Sequence, residues 1–98
     1  MKRVVYHRLA ANELLKSIAW YAKQRPALGS EFLREVDRAI TELSRNPDAG
    51  APGKRETRSW RVARFPFRIV YDIQPDRIWI VAVSHFKRRP EYWLKRLP

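Results

Sequence analysis

The sequence predicts an α+β domain: a short N-terminal strand, a helical hairpin, and a three-stranded antiparallel meander, with the helices packed on one sheet face. Three observations predict it. Apolar residues recur at three- and four-residue spacing through the first half, a Gly/Pro segment interrupts the chain near its middle, and the apolar period then falls to two. The 98 residues suffice for one hydrophobic core, so residues 1–98 are read as a single domain.

Val4, Val5 and Tyr6 form a brief β-prone opening. From Leu9 to Lys23, the positions Ala11, Leu14, Leu15, Ile18, Tyr21 and Ala22 draw one apolar stripe along a helix. That helix stops near Arg25, because the residue before Pro26 is driven out of the α region. A second helix begins at Leu28 or Ser30, carries Leu28, Phe32, Val36, Ala39, Ile40 and Leu43 on one face, and ends at Arg45 before Asn46-Pro47. Glu31 with Arg34, and Glu35 with Arg38, are expected to pair on its wet face.

Ala49 to Lys54 reads as the connecting loop. Its Gly-Lys pair lacks the following Ser/Thr and the preceding strand that a phosphate-binding loop requires. Trp60 to Ala63, Phe67 to Ile73 and Ile78 to His85 then read as strands, turned at Phe65-Pro66 and at Gln74-Pro75-Asp76. In the middle strand Phe67, Ile69, Tyr71 and Ile73 share the face turned to the helices, which leaves Arg68 on the other. A basic tail follows, from Lys87 to Arg96.

Charge is the strongest compositional signal. The net charge is +11, and residues 50–98 hold twelve Lys/Arg against four Asp/Glu, whereas residues 1–49 hold nine against six. Fifteen of the 21 cations are Arg, the residue that grips phosphate and carboxylate in bidentate fashion. An anionic macromolecular partner is therefore expected to meet the C-terminal half. There is no cysteine, which excludes disulfides and thiolate metal sites and fits a reducing, cytoplasmic compartment. The opening Met1-Lys2-Arg3 is interrupted by Tyr6, His7 and Arg8 before any sustained apolar region, and the longest apolar run, Ile78 to Val83, is far too short to span a membrane. Neither export nor membrane anchoring is expected.

His7 and His85 lack partners at ligand spacing, so no metal site is expected, nor any cofactor or small-molecule substrate. No serine–histidine pairing or carboxylate pair stands out. What remains is a set of cations and aromatics: Arg61, Arg64, Arg68, His85, Lys87, Arg88, Arg89, Tyr92 and Trp93. Such residues can bind phosphate, stack on bases, or cleave RNA without metal, with His85 as base and Arg68 or Lys87 opposing phosphate charge. A lone histidine at a strand end is more often a hydrogen-bonded structural residue. Trp60, Tyr71 and Trp79 fall in strand periods as core or sheet-face residues, and Trp20 suits either the core or a partner.

The element order, together with Leu43-Ser44-Arg45-Asn46-Pro47, Phe67-Arg68-Ile69-Val70-Tyr71 and Val83-Ser84-His85…Arg89-Pro90…Trp93, resembles the RelE/ParE superfamily of toxins over nearly the whole chain. The resemblance implies one half of a toxin–antitoxin pair, silenced by a cognate antitoxin. RelE-like members cut messenger RNA on the ribosome, and ParE-like members poison DNA gyrase. Arg68 falls where the nucleases keep a phosphate-gripping arginine, with Arg61 and Lys87 near two other basic positions. Ala63, however, occupies a further basic position, Trp93 meets the late tyrosine with Tyr92 one place off, and Phe86 after His85 has no hydroxyl. The nearer likeness is to ParE, which implies gyrase as target and Arg61, Arg64, Arg68, His85, Lys87, Arg88, Arg89 and Trp93 as target-binding residues. A RelE-like endoribonuclease is the alternative, with Arg61, Arg68, His85, Lys87 and Tyr92 as its catalytic candidates. A non-enzymatic nucleic-acid-binding or interaction module is the third reading.

Overall fold

The computed structural model describes residues 2–98, so Met1 of the opening segment lies outside the described residues. In chain order the elements are strand β1 (Arg3–Tyr6), helices α1 (Arg8–Gln24) and α2 (Pro26–Arg45), and strands β2 (Ala51–Pro52), β3 (Arg58–Arg61), β4 (Phe67–Ile73) and β5 (Arg77–His85). The strands form one five-stranded sheet of order β1-β5-β4-β3-β2, parallel between β1 and β5 and antiparallel elsewhere. The expected helical hairpin and meander are present. The meander gains β2 at one edge and β1 at the other.

Local chemistry sets the boundaries. The α1 N-terminus is capped by His7, whose Nδ1 accepts the Leu9 N–H at 3.0 Å. Burial, then the charges of Arg96 and Arg8, hold the His7 pKa below its ordinary value, which keeps that nitrogen free to accept. Arg25 is extended, as a residue before proline must be, and α2 starts at Pro26 itself, because proline's fixed φ suits the first helical position. The hairpin link is thus one residue, shorter than the sequence suggested. Strand β3 also begins two residues early and ends at Arg61. Its first residues pair with β2 (Pro52↔Arg58, Ala51↔Ser59), and Arg64 at φ 70° takes the tight turn that follows.

The helices cover one face of the sheet, here the inner face. Phe32, Val36, Ala39 and Leu43 of α2 meet Phe67, Ile69, Tyr71, Ile78 and Ile80 of the strands in the main core. Leu15 departs from the predicted stripe and is 64% exposed: of α1, Ala10 and Tyr21 are buried, and Leu14 and Ile18 pack against the core while partly buried. On the outer face Val70, Val81 and Ala82 form a second small core with Trp93, joined by Trp79, Tyr92, Leu94 and Leu97. The basic tail is therefore a structural layer across the back of the sheet.

Gly50 sits against Tyr71, whose hydroxyl donates to the Pro47 carbonyl at 2.6 Å. A Cβ at position 50 would collide with that hydroxyl and lie 2.9 Å from Tyr71 Cζ. Gly50→Ala is expected to cost about 1–3 kcal/mol in urea unfolding. An unchanged midpoint would show that the loop yields freely.

Candidate functional site

Alternation along the strands divides the predicted site between the two faces. Arg61 and Arg68 are direct cross-strand partners, and both are exposed on the outer face. Their guanidinium carbons lie 5.1 and 4.7 Å from the Phe86 ring centroid. Phe86 thus occupies the position lacking a hydroxyl and serves as a prop for two cations. Like charges directly opposite each other on a sheet are destabilising, so the ring and solvent offset a standing repulsion.

His85 pairs in register with Phe67 and lies on the inner face, with ring centroids 4.9 Å apart edge-on. Its Nδ1 accepts the Lys87 N–H at 3.0 Å, which shapes the turn after β5. His85 also lines a groove of about 300 Å³ between α1 and the end of β5. Glu13, Lys16, Ser17 and Trp20 share one face of α1, Lys16 and Ser17 each standing three or four residues from Glu13 and from Trp20, and Tyr21, Phe67, Val83 and Arg88 complete the walls. Trp20 is 61% exposed, so it is not a core residue.

Glu13 is the residue the sequence reading missed. Strand β1 ends at Tyr6, so β5 beyond Ile80 has no neighbour on that side, and Val81 is an extra residue at a bulge. Side chains fill the gap. Glu13 accepts the Val83 N–H at 3.0 Å, the Tyr92 hydroxyl at 2.7 Å, and both Arg96 terminal nitrogens at 3.0 and 2.8 Å, while Arg96 also donates to the Val81 carbonyl at 3.0 Å. One carboxylate thereby ties α1, the open stretch of β5 and the C-terminal segment together. Burial raises the Glu13 pKa, but the hydrogen bonds from Arg96, Tyr92 and Val83 outweigh it and hold the carboxyl below its ordinary range. Glu13 is the one acid in the first 30 residues, which was the available signal.

Several predicted site residues have other duties. Tyr92 is committed to Glu13, and burial with that carboxylate pushes its phenol up to about 12. Trp93 is buried at 8% exposure over Val70 and Ala82, so its ring is packing and offers little to a target. Arg64 is bound to Glu31 at 2.7 Å and approaches Glu35 at 3.7 Å. The wet-face reading of α2 is corrected with it. Glu35 is buried, paired with Arg38 at 3.2 Å, and Glu31 pairs with Arg25 and Arg64, not with Arg34. The positive φ at Arg64 turns its side chain back over α2, a tertiary contact that helix spacing does not encode. Arg88 lies 3.8 Å over the Tyr92 ring and 3.9 Å from Glu13. Lys87 and Arg89 remain exposed in the turn and make no ion pair among the described residues.

Fold and surfaces together define a small basic α+β domain with an apolar groove on the helical side and a cation pair on the outer face of the sheet. The sequence profile of the family described as the ParE toxin of type II toxin-antitoxin system, parDE, matches residues 4–90, and the chain belongs to that family. It is the toxin component of a toxin–antitoxin system. A chain in the solved structure of the chromosomal ParDE TA system from P. aeruginosa superposes with a TM-score of 0.73 at 19% sequence identity, covering 87% of this chain and 96% of that chain. That likeness is one of fold. No curated protein matches the sequence. No helix among the described residues is long and apolar enough to cross a membrane.

Proposed function

We propose that this toxin inhibits DNA gyrase when free and is neutralised by a cognate antitoxin seated in the groove beside α1. The observation that carries the target assignment is the division of the site. Metal-free RNA cleavage needs a base and phosphate-binding cations converging on one scissile phosphate. Here His85 faces the helices, Arg61 and Arg68 face away from them, and the Tyr92 hydroxyl is spent on Glu13. A protein that acts by binding and obstructing its target needs no such convergence, which supports the gyrase reading over ribosome-dependent cleavage of messenger RNA.

The groove supports the antitoxin assignment. Its walls include Trp20, Tyr21, Phe67 and Val83, with Trp20 as an exposed anchor, and its rim carries Lys16 and Arg88 beside Glu13, whose charge Arg96 already meets. An acidic amphipathic segment matches both features: apolar side chains fill the groove and carboxylates meet the rim.

Purified toxin is expected to abolish supercoiling by gyrase while leaving messenger RNA intact on translating ribosomes. Untouched gyrase together with codon-positioned cuts in the message would contradict the assignment.

A further inference from the structure

We infer that Arg61 and Arg68, propped on Phe86, form a phosphate-reading site for the backbone of duplex DNA, so that the toxin touches the DNA itself and not only protein at its target. The inference deepens the gyrase reading and rests on it only for where the DNA is met.

The two arginines are in register on β3 and β4, and neither forms an ion pair among the described residues. Five arginines, Arg25, Arg38, Arg64, Arg88 and Arg96, each reach a glutamate within 4 Å, and others such as Arg34, Arg45 and Arg89 are unpaired too among the described residues. What sets Arg61 and Arg68 apart is that they face each other across two strands over one ring. A shallow cleft of about 200 Å³ leads from Arg68 to Lys54, and Glu91, which also lines it, pairs with neither. Two facing guanidiniums with no internal counter-charge are a site that an external anion completes.

The aromatics decide which anion. Binding to single strands depends on rings free to stack on bases. On this side of the protein the Phe86 ring is taken by Arg61 and Arg68, the Tyr92 ring by Arg88 and Arg96, the Trp79 ring by Arg77 at 4.1 Å, and Trp93 is buried. With no ring to offer and cations left over, the surface suits a phosphate backbone whose bases stay stacked inside a duplex.

The test measures affinity for a short mixed-sequence duplex across a salt series, beside a single strand of the same length and poly-glutamate. The wild-type toxin is expected to prefer the duplex, with log affinity falling against log salt by about 0.9 per phosphate contacted. R61Q/R68Q is expected to lose affinity at least about tenfold and to flatten the slope by about 1.8, whereas R61K/R68K keeps the slope. R34Q/R45Q removes the same charge from α2 and should change affinity less than about threefold. Equal losses in the two neutralising variants, or tighter binding to single strand or poly-glutamate than to duplex, would overturn the inference. Should R61Q/R68Q fail to fold, R61Q alone reads half the slope change. Duplex binding that fails while gyrase is still inhibited overturns this inference alone. Gyrase unaffected by a toxin that binds duplex overturns only the target reading.

Discussion

Glu13→Ala is expected to remove about 3 kcal/mol of stability, the lower end of the cost of breaking a buried ion pair, because this pair is largely but not fully buried and its partner is left charged. The size follows from what the substitution strands. The Arg96 side chain is only 10% exposed, and the Tyr92 hydroxyl and Val83 N–H also lose their acceptor. In a domain of this size the melting midpoint should drop by more than about 12 °C. Because Glu13 anchors the segment that carries Trp93, limited proteolysis should cut beyond Glu91 in the variant before the sheet unfolds. The acid response follows from the same contacts. The folded pKa of Glu13 lies below its unfolded value, so its contribution is complete above the ordinary glutamate range and disappears as pH falls through the depressed folded value. Glu13→Gln should therefore show a shallower loss of stability in that acid window than the wild type. A loss under about 1 kcal/mol for Glu13→Ala, as for a surface pair, would show that the network is not what closes the open stretch of β5.

Trp20→Ala is expected to weaken antitoxin binding by at least about 30-fold, equivalent to about 2 kcal/mol, the scale of an interface anchor. Folding stability should change little, because the ring already stands 61% exposed on α1. That contrast makes the measurement informative: a core tryptophan would lose both, and an ordinary surface residue neither. Calorimetric titration with the cognate antitoxin reads the affinity, and urea unfolding reads the stability. Undiminished affinity would remove the groove from the antitoxin's footprint.

Much of the fold was legible because it is written in local periods. Phe32, Val36, Ala39 and Leu43 announce a helix face, Phe67 to Tyr71 alternate as a strand must, and Pro26 fixes both a helix end and a helix start. What stayed hidden depends on contacts between distant residues. The pairing of β1 with β5, the outer layer made by Tyr92 to Leu97, and the Glu13 junction 79 residues from Tyr92 have no local signature. The site suffered most. Charge density picked out Arg61, Arg68 and His85 together, but the one-residue alternation of β4 and β5 sends the histidine to the side opposite the arginines. Arg64 and Trp93 looked equally available in sequence, and tertiary structure gives one to Glu31 and the other to the outer core.

The basic half of this toxin thus resolves into a cation pair facing outward and residues lining a groove beside α1, the proposed antitoxin seat. The most direct test of that division compares two properties of R61Q/R68Q: inhibition of gyrase supercoiling and affinity for the antitoxin. Inhibition should weaken at least about tenfold, while antitoxin affinity stays within about twofold, as expected for sites that share no contacts. Parallel losses in both would contradict the division and place antitoxin and target on the same surface.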